Sequence, residues 1–115
     1  MKDERLYLVH VAEALRLILE YTADGKIAFM GDRKTQDAVT RKFEVIGEAT
    51  KRLSDEMRGR APDIPWSRMA RFRDILIHQY DRVDATETWR VIEDHVEGLL
   101  RQVEELLRRL DLDAS

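Results

Sequence analysis

Arg73, Asp74, His78 and Tyr80 fall within eight positions of one stretch, RFRDILIHQYDRVD at 71–84. Their types suit phosphate chemistry. Histidine titrates near neutrality and serves as general acid or base. An arginine fork can hold a phosphate and offset charge developing on it. An aspartate four residues before the histidine is its helical neighbour and could orient the imidazole. A phosphodiester beside a 2′-hydroxyl needs no metal for cleavage. It needs a base on the hydroxyl, an acid on the leaving oxygen and a cation on the phosphoryl group. The stretch holds one histidine, so a two-fold dimer would be required to supply two.

Helical spacing sets what these residues can share. Met69, Phe72 and Leu76 form the buried stripe, and Arg73 and Tyr80 share a different one. Arg73 and His78 are about 140° apart around a helix and roughly 7.5 Å along it, a gap that a guanidinium can cover. Periodicity and composition alone favour a solvated or dimer-facing helix, because polar residues on an exposed face are ordinary and the chain has 15 arginines.

Charge distribution adds a further sign. The chain carries a net charge of −3, which by itself argues against a nucleic-acid binder. Between Arg58 and Arg82, however, six arginines face three acids. That segment is therefore +3 and the remainder −6. All of the basic charge there is arginine, whose planar fork fits phosphate better than lysine does.

The elements that position the stretch are helical. Ala85, Trp89, Ile92, Val96, Leu99, Val103, Leu106 and Leu110 are spaced 4-3-4-3-4-3-4, an unbroken seam that predicts a helix over 85–110 and requires a partner. Asp84 with Glu87 resembles a capping box at its start. A first helix over about 3–23 carries Leu8, Val11, Ala12, Leu15, Ile18 and Leu19, and stops at Asp24-Gly25. A second, over about 33–57, carries Val39, Phe43, Ile46, Ala49, Leu53 and Met57. Gly47 inside it costs stability unless close packing needs the space. RGRAPDIP is a loop, and Pro65 suits the first turn of a third helix. The expected fold is all-α, an antiparallel bundle of four helices, and at 115 residues a single domain over 1–115.

Other candidates carry less. His10 on the first helix reads as a hydrogen-bonded boundary residue, and His95 as solvated or paired with Asp94. Neither has a second ligand at metal spacing, so no metal and no cofactor is expected. Trp66 and Trp89 fall on core stripes. Glu13 and Glu48 lie near stripe edges where arginines could pair with them, with nothing to assign either to a site. Glycine-rich phosphate loops are absent, as are cysteines and with them disulfides and thiolate metal sites. No apolar run approaches the roughly 18 residues of a membrane span, and MKDERLYLVHVAEALRLILEY lacks a signal-peptide core. Cytoplasm is the expected compartment.

RFRDILIHQYDRVD resembles the R-x4-H-x-Y signature of the HepT-like HEPN ribonuclease toxins, with Arg73, His78 and Tyr80 in the signature positions. RKFEVIGEATKRLS (41–54), IPW (64–66) and YDRVDATETWRVI (80–92) are similar to that family's second helix, third-helix start and approach to helix four, in the same order. The resemblance implies a homodimeric HEPN bundle of four or five helices with the Arg–His pairs in a cleft between subunits. It implies a metal-independent endoribonuclease acting as the toxin of a type VII-like toxin–antitoxin pair. The expected partner is an MntA-like minimal nucleotidyltransferase antitoxin that transfers AMP onto the signature tyrosine. Carried over, Arg73 positions the scissile phosphate, His78 is the acid/base and Tyr80 is the silencing site; Asp74 matches a position that is often polar and is read as supporting. The alternative is a non-catalytic module that presents its surface to the nucleotidyltransferase, which the acidic net charge favours slightly. A bundle with no ligand at all leaves the polar edge of the third helix unexplained.

Overall fold

A computed structural model of the chain describes residues 3–78 and 84–114, with the side chain of His78 outside that description. The described residues are helical throughout their regular structure and contain no strand. In chain order the helices are α1 (Glu4–Tyr21), α2 (Lys26–Met30), α3 (Arg33–Lys51), α4 (Asp55–Gly59), α5 (Trp66–His78), α6 (Ala85–Val91), a π-helical segment (Ile92–Val96) and α7 (Glu97–Asp113).

α1 is the centre of the packing because its apolar residues recur at three- and four-residue intervals. Leu8, Val11, Leu15 and Ile18 are completely buried, each contributing about 1.5–3 kcal/mol by leaving water. α3 lies along one side of α1 and supplies Val39 and Ile46; α7 lies along another and supplies Val103 and Leu106. Two ion pairs fix the α1–α7 direction: Arg5 Nε meets Asp111 Oδ1 at 2.7 Å and Arg16 Nη2 meets Glu104 Oε2 at 3.0 Å. As numbers rise along α1 they fall along α7, so the two helices are antiparallel. α5 packs mainly on α3, where Phe43 and Phe72 meet edge to face with centroids 5.1 Å apart.

The helix boundaries differ from the sequence expectation at three places, each with a local cause. α1 ends at Tyr21 rather than 23, where the buried Thr22 turns its hydroxyl back to the Ile18 carbonyl at 2.7 Å. Gly25 follows with φ +93°, a conformation that side chains disfavour, and opens the short helix α2 that periodicity did not reveal.

The helix expected over 33–57 breaks after Lys51. Ser54 caps a new helix by accepting the Met57 N–H at 3.1 Å. Its own N–H and hydroxyl donate to the Glu4 carboxylate at 2.5 and 3.0 Å. The break is therefore pinned from α1, and Leu53 is buried inside it.

The last helix starts as expected, with Asp84 Oδ1 accepting the Glu87 N–H at 2.8 Å, but runs on to Asp113 and contains the π-helical turn. α5 begins at Trp66, with Pro65 just outside it giving its carbonyl to the Met69 N–H at 3.1 Å.

Trp66 is buried and its indole N–H donates to the carbonyls of Arg58 and Ala61. That contact, with the Gln102 amide on the Asp63 carbonyl at 3.3 Å, ties the loop before α5 to the rest of the fold. Trp89 is half-buried and tilts against Phe29 at 5.4 Å. Among the described residues, no helix is long and apolar enough to cross a membrane.

Candidate active site

Arg73 is placed by backbone before any charge acts on it. α3 and α5 approach so closely at Gly47 that a Cβ there would lie 2.0 Å from Arg73 Cβ and 2.6 Å from Arg73 Cγ. Only glycine leaves room for the base of the Arg73 side chain. The expected cost of a glycine inside α3 is thus offset by the contact that seats the arginine.

Two carboxylates then hold the guanidinium. Arg73 Nη1 donates to Asp74 Oδ1 at 3.3 Å, and Nη2 lies 3.6 Å from Glu48 Oε1. Lys51 Nζ donates to the same Asp74 oxygen at 2.5 Å, and Glu48 also faces Arg41 at 4.0 Å. Arg73 is the least exposed member, its side chain at 24% against 42–43% for Glu48, Lys51 and Asp74. Its Nε is buried and makes no hydrogen bond with a described group. The Lys51 hydrogen bond, assisted by Arg73, holds the Asp74 carboxyl below the usual carboxylate range.

The cluster is thus an alternating run of cations and carboxylates along the α3–α5 seam, with Arg73 at its centre. Of the four residues singled out in the sequence, Arg73 and Asp74 come together here. His78 ends α5, one turn and a residue beyond Arg73. Its side chain and Tyr80 lie outside the described residues. Glu48, which the sequence assigned only to a stripe edge, belongs to the cluster, as do Lys51 and Gly47. The available signal was Gly47-Glu48 in mid-helix with Lys51 one turn on.

The remaining candidates sit elsewhere. His10 is exposed on α1 rather than at a boundary, and Glu13 is exposed as well. His95 is exposed on the π-helical turn. Among the described residues, no three His, Asp or Glu side chains group as a metal would require.

Comparison with known proteins adds an independent line. A family model described as "Ribonuclease HepT-like" matches residues 11–106. The chain is 42% identical to a Thermococcus cleftensis protein named "Probable ribonuclease HepT", over 91% of this chain and 96% of that one. It is 36% identical to an inferred RNase of Methanocaldococcus jannaschii, covering 96% of this chain and 92% of the relative. A second M. jannaschii protein, whose name joins a gamma-glutamylcyclotransferase to an inferred RNase, is 40% identical over 96% of this chain. The chain spans only 50% of that protein's length. No solved structure matches.

Proposed function

This chain belongs to the HepT-like ribonuclease family, and from that premise we propose that residues 1–115 are one homodimeric HEPN domain that cleaves RNA without a metal. The observation that carries the reading is Arg73. It is a largely buried arginine seated by a glycine contact, five residues before a histidine on the same helix. An arginine kept for solubility would not need Gly47 beneath it.

In the proposed reaction Arg73 holds the scissile phosphate. His78 of one protomer takes the proton from the 2′-hydroxyl, whose oxygen attacks the adjacent phosphorus. The bond from phosphorus to the 5′-oxygen breaks, and the second protomer's His78 gives that oxygen its proton. The products are a 2′,3′-cyclic phosphate and a 5′-hydroxyl. Arg73 offsets negative charge as it builds on the phosphoryl oxygens. RNA displaces Glu48 and Asp74 from the guanidinium as it binds.

The same reading makes the protein the toxin of a toxin–antitoxin pair whose MntA-like nucleotidyltransferase partner attaches AMP to Tyr80. That modification adds an anion two residues from His78, which would compete with substrate phosphate for the arginines.

The test is cleavage of a mixed RNA substrate in EDTA by the purified protein, beside His78→Ala, after mass measurement has established that Tyr80 is unmodified. Wild type is expected to cut and to leave cyclic phosphate ends, and the variant to lose at least about 100-fold in rate. Equal rates for the two proteins would sink the assignment.

A further inference from the structure

α5 has a second polar edge, on the side away from Arg73. There a groove of about 270 Å³ opens between α5 and the α6–π–α7 helix. Phe72 and Ile75 form one wall, and Val91 and Leu99 the other. Arg68 and Arg71 on α5 and His95 on the opposite helix also line it, and all three are exposed. The acids next to His95 in sequence, Glu93 and Asp94, are not part of the wall.

Charge separates these arginines from the others nearby. Arg58, Arg60 and Arg73 each face a carboxylate. Among the described residues no carboxylate pairs with Arg68 or Arg71. Two arginines of the 58–82 segment without a described carboxylate partner therefore lie beside a groove whose floor is apolar.

We propose that this groove is a nucleobase subsite for single-stranded RNA, with Arg68 and Arg71 holding the flanking phosphates. The inference rests on the ribonuclease reading for its substrate and adds where an unpaired base goes. A flat, hydrophobic base face fits a narrow apolar slot, and arginine planes can stack on it as well as bind phosphate. The volume suits one such group, lying just under the roughly 300 Å³ at which clefts for larger ligands begin.

The π-helical turn supports the assignment. Such turns are concentrated at functional sites, and this one carries His95 on the wall facing the arginines. By helical spacing, position 78 falls on the stripe of position 71, two turns on. A strand crossing the exposed face of α5 from the Arg73 edge would reach the groove within one helix diameter, about 10–12 Å.

The competing occupant is a second copy of this chain. A two-fold interface centred on the groove itself would bring Arg68 and Arg71 against their own equivalents, and like charges set face to face oppose association. The two-fold of the proposed catalytic dimer instead centres on position 78, two turns further along α5.

The experiment measures equilibrium binding by the full chain in a His78→Ala background, so that RNA stays intact. The probes are a labelled single-stranded RNA decamer, its duplex, and a decamer of the same backbone without bases. The single strand is expected to bind at least about tenfold more tightly than either of the others. Arg68→Gln/Arg71→Gln should weaken single-strand binding about tenfold or more and lower the slope of log affinity against log salt by about 1.4, for two lost contacts. His95→Ala, a milder change, should weaken the intact decamer while leaving the base-free decamer unaffected.

Circular dichroism melts verify that the variants fold. Unchanged RNA binding by folded Arg68→Gln/Arg71→Gln overturns the proposal, as does equal affinity for single strand and base-free backbone. A variant that changes sedimentation but not RNA affinity overturns it in favour of an interface between copies. The ribonuclease reading fails separately: a wild-type protein that binds the decamer at this groove and never cuts would lose that reading and keep the subsite. In cleavage assays without the His78 substitution, the double arginine variant should raise KM about tenfold and leave kcat within about twofold.

Discussion

At the scale of single residues, Arg73 is held by its neighbours in an orientation that also restrains it. Its guanidinium faces Glu48 and Asp74, so in the proposed reaction an incoming phosphate would compete with two carboxylates. The contacts to Arg73 are long, at 3.6 and 3.3 Å, and both carboxylates have a second cation in Arg41 and Lys51. They can therefore release Arg73 without becoming unpaired. Glu48→Gln removes one negative charge a few ångströms from the guanidinium that would hold the phosphate in the proposed reaction. At that range in a solvated setting a unit charge is worth about 1 kcal/mol, or about fivefold in binding. Glu48→Gln is expected to lower KM for RNA about fivefold with kcat within about twofold, as steady-state cleavage kinetics would reveal. A kcat that collapses with KM unchanged would instead make Glu48 essential to the geometry. Arg73 and Asp74 were legible from the sequence because both lie on one helix, where spacing fixes their separation. Glu48 and Lys51 were not, because their role depends on how closely two helices pass, and periodicity does not report interhelical distance.

At the scale of elements, the α3–α5 crossing is where sequence and packing meet. Glycine is normally a weak point within a helix, about 1 kcal/mol worse than alanine. Gly98 lies in α7 with open space around it, whereas Gly47 is pressed onto Arg73. The same substitution should therefore act in opposite directions. Gly98→Ala is expected to raise stability by about 0.5–1 kcal/mol through helix propensity. Gly47→Ala should lower it by about 1–3 kcal/mol, because the added methyl overpacks the seam, and should slow RNA cleavage by moving Arg73. Urea unfolding of both variants, with cleavage rates alongside, checks the pair. A stabilised Gly47→Ala would mean that α5 shifts freely and that the close approach does not seat the arginine. The positions of the long helices were readable from their apolar stripes, since those stripes are the packing surfaces. The break at 52–54 was not, because Leu53 continues the stripe while the cap that ends it depends on Glu4, 50 residues away. The π-helical turn also eluded the pattern, because the 4-3 spacing of the apolar seam runs through it unbroken.

At the scale of the whole molecule, two carboxylates tie distant parts together and two act locally, and all four give acid a predictable effect. Asp111 on α7 accepts from Arg5 on α1, Asp74 on α5 from Lys51 on α3, and Asp32 caps α3 through Thr35. Glu105 pairs with Arg108 within α7. Each of the four carboxyls is held below its ordinary value, in every case chiefly by that hydrogen bond. In the unfolded chain they titrate near the usual carboxylate range, about 4. Where the folded value lies lower, the unfolded chain binds more protons as pH falls. The stabilisation is therefore fully present above about pH 5 and is lost progressively as pH drops through 4 toward the folded values. Asp32, Glu105 and Asp111 are exposed and Asp74 partly so, and solvent screening keeps each contribution small. The expected result is a melting temperature nearly flat from pH 7 to about 5 and falling below about 4, followed by calorimetry. Asp111→Asn, which removes one of the two carboxylates paired across the first and last helices, should lower the neutral-pH plateau slightly and make the acid-side fall shallower. A fall that begins near pH 6 would implicate a group other than these carboxylates.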